Sequence, residues 1–228
     1  MSKCEQCIVR KFNSLKELTK DELIRITACK TSRIIKKGDV IFKEGDHLNG
    51  IFCIKEGICK VSKMSENGRN QIINLIHRGN IIGERSLISD EISNLTAVAL
   101  SDMDVCFIPK EEIIKDLEKN PGFTLDVLKT MATSLKTADN LIVNMAQKSV
   151  KQRLAETLLH LEGKFKTNNK GAIDIHLSRE DIANIIGTAT ESAIRLLSEL
   201  KKKKIITFMG KDIAILDKQE LEKIAQGF

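Results

Sequence analysis

The sequence predicts an α+β chain with an N-terminal antiparallel β-barrel or jelly roll, a long helix and a C-terminal winged helix-turn-helix. Three observations carry that prediction. Between residues 33 and 109 the apolar period is two, and Gly38, Gly45, Gly50, Gly57, Gly68, Gly79 and Gly83 cut the stretch into short segments. From Glu111 the period becomes helical. From Leu177 onward, LSREDIANIIGTATESAIRLLSELKKKK parses as two helices around a tight turn, and two short apolar segments about Gly210 follow it.

Composition narrows the function classes. The 228 residues leave room for more than one domain with its own core. A hydrophobic fraction of 42% and a charged fraction of 30% describe a globular chain. The net charge of +6 is compatible with a polyanionic partner and proves none. Trp and Tyr are absent, which argues against a stacking platform for single strands. No apolar run is long enough to span a membrane, and the start, MSKCE, lacks a signal-peptide core. The expected location is the cytoplasm. There, six cysteines fit thiols, metal ligands or redox sensors better than structural disulfides.

The elements follow in order. Residues 1–12 carry Cys4-Glu-Gln-Cys7 among basic residues. Residues 15–28 are expected to form an amphipathic helix through Leu18, Leu23 and Ile26, with Thr19 a candidate N-cap. Strands are expected at 39–43, 51–55, 58–64, 71–76, 96–100 and 105–108. Pro121-Gly122 breaks the chain, and a long helix should run to about residue 145. On it Leu128, Met131, Leu135, Ala138, Ile142 and Met145 alternate in spacings of three and four, a heptad seam. The seam fits a helix packed on its own barrel and fits a two-stranded dimer interface. Another helix, 148–165, places Val150, Leu154, Leu158 and Leu161 on one face. The expected domains are 1–121, an effector-sensing barrel; 122–147, a dimerisation helix; and 148–228, the winged helix-turn-helix.

In that last domain Ser178 is the expected N-cap, with Asp181 as its reciprocal partner. Ile182, Ile185 and Ile186 form the buried stripe, and Gly187 stops the helix. Thr188 with Glu191 repeats the capping pattern. On the second helix Ala193, Ile194, Leu197 and Leu200 should face inward. Glu191, Ser192, Arg195 and Ser198 should face outward, where a recognition helix meets base edges. Arginine can grip guanine bidentately, and a carboxylate can accept from cytosine. Glu191 and Arg195, four apart, could also pair with each other. The same pattern fits a plain helical hairpin with a solvated ion pair. Segments 205–208 and 213–216 make a wing. Lys201, Lys202, Lys203, Lys204 and Lys211 can reach phosphates, although a lysine run also complements a helix C-terminus.

Taken in order, these parts resemble the CRP/FNR family of bacterial transcription regulators. The carriers are 37–46 (KGDVIFKEGD), 79–84 (GNIIGE), 153–159 (RLAETLL), 177–183 (LSREDIA) and 190–195 (TESAIR). The resemblance implies a homodimer that binds two-fold-related double-stranded DNA and acts on RNA polymerase, with the barrel sensing a small signal. It implies that Glu191 and Arg195 read bases and that Ser192 contacts DNA; Ser178, Arg179, Thr190 and Lys201 complete the candidate DNA contacts. It makes Gly83, Glu84, Arg85 and Thr96 the effector-pocket candidates. The family's cyclic-nucleotide cassette places an arginine where this chain has Leu95, so a cyclic phosphate would lack its cation. The oxygen-sensing branch uses three N-terminal cysteines and one in the barrel. Cys4, Cys7 and Cys106 match it as metal-ligand candidates, while the remaining ligand position falls on Asn13. Three thiolates with another donor could hold a cluster or zinc. Cys4 and Cys7 could instead form a dithiol switch, or the cysteines could be inert, with Cys53, Cys59 and Cys106 buried and Cys4 and Cys7 in a loose tail. His47, His77, His160 and His176 are placed by no haem motif.

The expected class is therefore a non-enzymatic DNA-binding regulator whose effector is unassigned. Two rivals remain: a regulatory barrel subunit of a separate enzyme, and a thiol-redox protein using Cys4 and Cys7. The second rival expects a βαβ setting that the pattern lacks.

Overall fold

The structure is a computed structural model, and it describes residues 3–227. Three 3-10 turns, Cys4–Gln6, Ile8–Phe12 and Ser14–Glu17, precede helix α1 (Lys20–Cys29). The helix expected from residue 15 thus begins five residues later. Thr19 is its N-cap: the Thr19 hydroxyl accepts from the Glu22 amide, and the Glu22 carboxylate accepts from the Thr19 amide. That reciprocal pair marks a start, so Leu15 and Leu18 lie before the helix. Both are still buried.

Eight strands follow: β1 (Thr31–Ile35), β2 (Val40–Phe42), β3 (Gly50–Glu56), β4 (Ile58–Met64), β5 (Asn70–His77), β6 (Ile81–Ile82), β7 (Thr96–Ala99) and β8 (Met103–Pro109). They form two four-stranded sheets, ordered β1-β8-β3-β6 and β2-β7-β4-β5. The six expected strands are present. Strands β1 and β6 and a short helix α2 (Glu84–Ser89) are additions. The sequence hides β1 because its outer face is solvated, with Ile34 67% exposed.

Strand β3 is buried on both faces over Gly50–Ile54. Phe52 and Ile54 point between the two sheets, with Phe42, Cys59, Ala97 and Val105. Ile51 and Cys53 point the other way, into a second core that holds Cys4, Leu15, Ile26, Cys106 and Phe123. The period of two makes this division unavoidable. Gly50 permits the close β3–β8 approach, since a Cβ there would sit 2.2 Å from the Ile108 carbonyl oxygen.

Helix α3 (Lys110–Lys119) closes the second core. Its Asp116 is fully buried and ion-paired to Arg25 of α1, and Glu112 pairs with the same guanidinium. Helix α4 (Pro121–Gln147) is the expected long helix, and Phe123 is its one buried residue. Helix α5 (Val150–Phe165) opens on a Ser149–Gln152 capping box. Helices α6 (Arg179–Ile186) and α7 (Thr190–Lys202) precede the hairpin β9 (Ile206–Met209) and β10 (Asp212–Ile215). A last helix, α8 (Lys218–Gln226), was not expected. By contact the chain forms two compact units. One holds the chain up to Met64 and Ile73–Lys136, and the other holds Ser65–Ile72 and everything from Thr137. No helix among the described residues is long and apolar enough to cross a membrane.

Candidate nucleic-acid interface and sensor residues

Helix α6 begins as its sequence implies. The Ser178 hydroxyl accepts from the Asp181 amide at 2.9 Å, and Asp181 Oδ2 accepts from the Ser178 amide at 3.1 Å. Ile182 and Ile186 are buried with Ala183, while Ile185 is only half-buried. Gly187 takes φ 65°, and a Cβ there would press on the Met145 sulfur at 3.0 Å. The turn is held from below by Arg153. Its Nε donates to the Ile186 carbonyl at 2.8 Å and its Nη1 to the Lys148 carbonyl at 2.6 Å.

The second capping expectation fails. Ala189, not Thr188, is the N-cap of α7, and no side chain caps it. The Thr188 amide donates to the Ala183 carbonyl at 3.1 Å, so Thr188 completes the end of α6 and cannot begin α7. Ile194 also departs from expectation, at 46% exposed. Ala193, Leu197 and Leu200 are buried at i, i+4 and i+7. That line fixes the inward direction, and Ile194 lies about 100° away from it.

The outward face is polar. Glu191, Arg195 and Ser198 are exposed, and Thr190 and Ser192 are half-exposed. Glu191 and Arg195 make no ion pair with each other among the described residues, which leaves both free to meet a ligand. Arg179 and Lys201 come together in a way the spacing did not suggest. The Arg179 guanidinium lies 4.4 Å from the centre of the Phe208 ring, and Lys201 Nζ lies 5.0 Å from it. Burial pushes the Arg179 pKa down, and its Nη1 is enclosed without a hydrogen-bond partner. Phe208 on β9 thus holds two cations beside the helix pair. Sequence reasoning missed it because the ring meets its partners only when the wing folds back.

On α4 the seam residues sit as follows. Leu128, Leu135 and Ile142 are 57%, 65% and 68% exposed, and Met131, Ala138 and Met145 are half-buried. Leu125 and Val143 add to the exposed apolar stripe.

The effector candidates are dispersed in role. Gly83, at φ 93°, is the N-cap of α2. Arg85 is exposed, and the Thr96 hydroxyl accepts from the Glu44 amide at 3.1 Å. Leu95 packs on the inter-sheet core. Glu84 Oε2 is enclosed and has no hydrogen-bond partner. Burial raises its pKa, against opposing help from its own backbone and Arg85. A carboxyl raised in the fold penalises folding above its folded pKa and is neutral below the ordinary Glu value. Glu84→Gln should therefore raise the thermal midpoint at neutral pH, and the gain should vanish in acid. A gain that persists in acid would show that ionisation is not its cause.

The N-terminal cysteines do not lie in a loose tail. Cys4 is buried, and its amide donates to Thr27 Oγ1 at 2.8 Å. Cys7 packs on the same core, which also contains Cys53 and Cys106. Among the described residues no three His, Cys, Asp or Glu side chains are disposed to hold a single metal ion. With or without Cys53, Cys4, Cys7 and Cys106 are thus not arranged around a single ion.

A sheet-based sensing unit joined through a long helix to a winged helix-turn-helix defines a class, the DNA-binding transcription regulators with an N-terminal sensor. Residues 32–120 match the cyclic nucleotide-binding domain family, and 152–224 match the Crp-like helix-turn-helix domain. The chain is 30% identical over 228 residues to the fumarate and nitrate reduction regulatory protein of Vibrio cholerae, covering 97% of this chain and 90% of that one. It is 30% identical to the anaerobic regulatory protein of Pasteurella multocida, over 94% of this chain and 79% of that one. In fold it is similar to a transcriptional regulator of the CRP/FNR family from Eubacterium rectale, with TM-score 0.78 and 21% identity, covering 93% and 97% of the two chains. FixK2 from Bradyrhizobium japonicum gives 0.76 and 23%, covering 86% and 96%. The chain belongs to the CRP/FNR family of transcription regulators, and it is a DNA-binding regulator.

Proposed function

We propose that the chain acts in the cytoplasm as a homodimer that reads a two-fold-related duplex site and thereby acts on RNA polymerase. The observation that carries this reading is the face of α7. Glu191, Ser192 and Arg195 stand outward above the buried line Ala193, Leu197 and Leu200. Their donors and acceptors suit base edges in the major groove. Arg179 and Lys201, steadied on Phe208, suit the phosphates at the groove's rim, as do Ser178 and Thr190 at the two helix starts. The exposed stripe of α4 supplies the dimer contact, the two stripes covering each other. Cys4, Cys7 and Cys106 belong to the sensing side. An iron–sulfur cluster held there would supply a centre sensitive to oxygen and redox state.

Duplex binding titrated against salt tests the reading. Affinity should fall linearly in log–log form, with a slope set by the phosphates neutralised. Arg195→Ala should cost about 1–3 kcal/mol on the preferred sequence and relax the base preference at one position. If it weakens all sequences equally, Arg195 touches phosphate and the base-reading role is wrong.

A further inference from the structure

Cys53 stands beside Cys106. The two are directly opposed on β3 and β8, and both point into the core that buries Cys4 and receives Cys7. The position where a third N-terminal cysteine would fall holds Asn13. Its Nδ2 donates to Cys53 Sγ at 3.5 Å and to the Gly79 carbonyl at 3.0 Å. Asn13 therefore points at the Cys53 sulfur. Within the same core, Lys30 is only 3% exposed. It hydrogen-bonds to Cys4, with Cys106 and Cys7 beside it.

We propose that Cys53 is the fourth thiolate of a four-cysteine iron–sulfur site with Cys4, Cys7 and Cys106, replacing the ligand absent at Asn13. Asn13 then serves as a hydrogen-bond donor to the Cys53 sulfur, and Lys30 as the buried counter-charge. The donor set fits the group. Four soft sulfur donors are what such clusters take, and a cage of several irons separates its ligands more widely than one ion does. Each thiol passes its proton to solvent as its sulfur binds iron.

The inference rests on the sensing role proposed for the N-terminal cysteines. The test is anaerobic reconstitution of the full chain with equal ferrous and ferric iron and with sulfide. It is read by charge-transfer absorption and by iron and sulfide content. Wild type should take up a cluster. Cys53→Ser should lose it as completely as Cys106→Ser. Cys59→Ser should keep it, because Cys59 faces the inter-sheet core instead. Adding Asn13→Cys to Cys53→Ser should restore the cluster, which a merely misfolded variant could not do. Full iron and sulfide in Cys53→Ser, or none in wild type, overturns the inference. Duplex binding of the same samples separates the two readings: colourless wild type that still binds DNA removes the cluster and leaves the regulator.

Discussion

Replacing Leu135 and Ile142 together by glutamate should convert the protein to a monomer and abolish high-affinity binding to a palindromic duplex. Both side chains are about two-thirds exposed on α4, at 65% and 68%, one heptad apart. Burying such a side chain fully is worth roughly 1.5–3 kcal/mol, and a symmetric interface buries each twice. Two charges facing their own copies would forfeit that gain and add repulsion. Sedimentation velocity at micromolar concentration reads the mass, and duplex titration on full and half sites reads the consequence. Half-site binding should survive, because α6, α7 and the wing carry neither substitution. A stable dimer in the double variant would place the interface away from this stripe.

Arg25→Ala should destabilise the N-terminal unit strongly, costing about 3–5 kcal/mol. The Asp116 side chain is 1% exposed, and Arg25 is the partner that compensates it, with Glu112 on the same guanidinium. Removing the arginine leaves a carboxylate in the core with its charge unmatched. Glu112, 23% exposed, can turn toward water, whereas Asp116 cannot. Denaturant unfolding checks the magnitude. Pairing Arg25→Met with Asp116→Leu should recover most of the loss, since an apolar pair needs no counter-charge. If Arg25→Ala alone costs under about 1 kcal/mol, the pair behaves as a surface bridge. The link joins α1, which carries Lys30 at its C-cap, to α3.

Much of this molecule was legible in its residues because the signals are local. Period two with glycine turns yields strands wherever one face is buried, and six strands followed that rule. The Ser178–Asp181 cap and the Gly187 stop are contacts within one turn, so spacing alone reveals them. The apolar line of α7 shows equally, since 3.6-residue periodicity is a property of the chain itself. The family resemblance, which needs no fold, also implies that Leu95 stands at the nucleotide cassette's arginine position and Asn13 at a cluster-ligand position.

Tertiary structure decided the rest, where the partner lies far along the chain. Thr188 looked like a cap until its amide was seen to complete the preceding helix, a competition between two ends for one residue. Phe208 became the seat of Arg179 and Lys201 only when β9 folded back. Cys53 looks like any small core residue in Ile51-Phe-Cys-Ile54. Strand register set it opposite Cys106, and the N-terminal turns brought Cys4, Cys7 and Asn13 over it. Side-chain pairing across strands depends on register, and a single sequence displays no register until the strands have met.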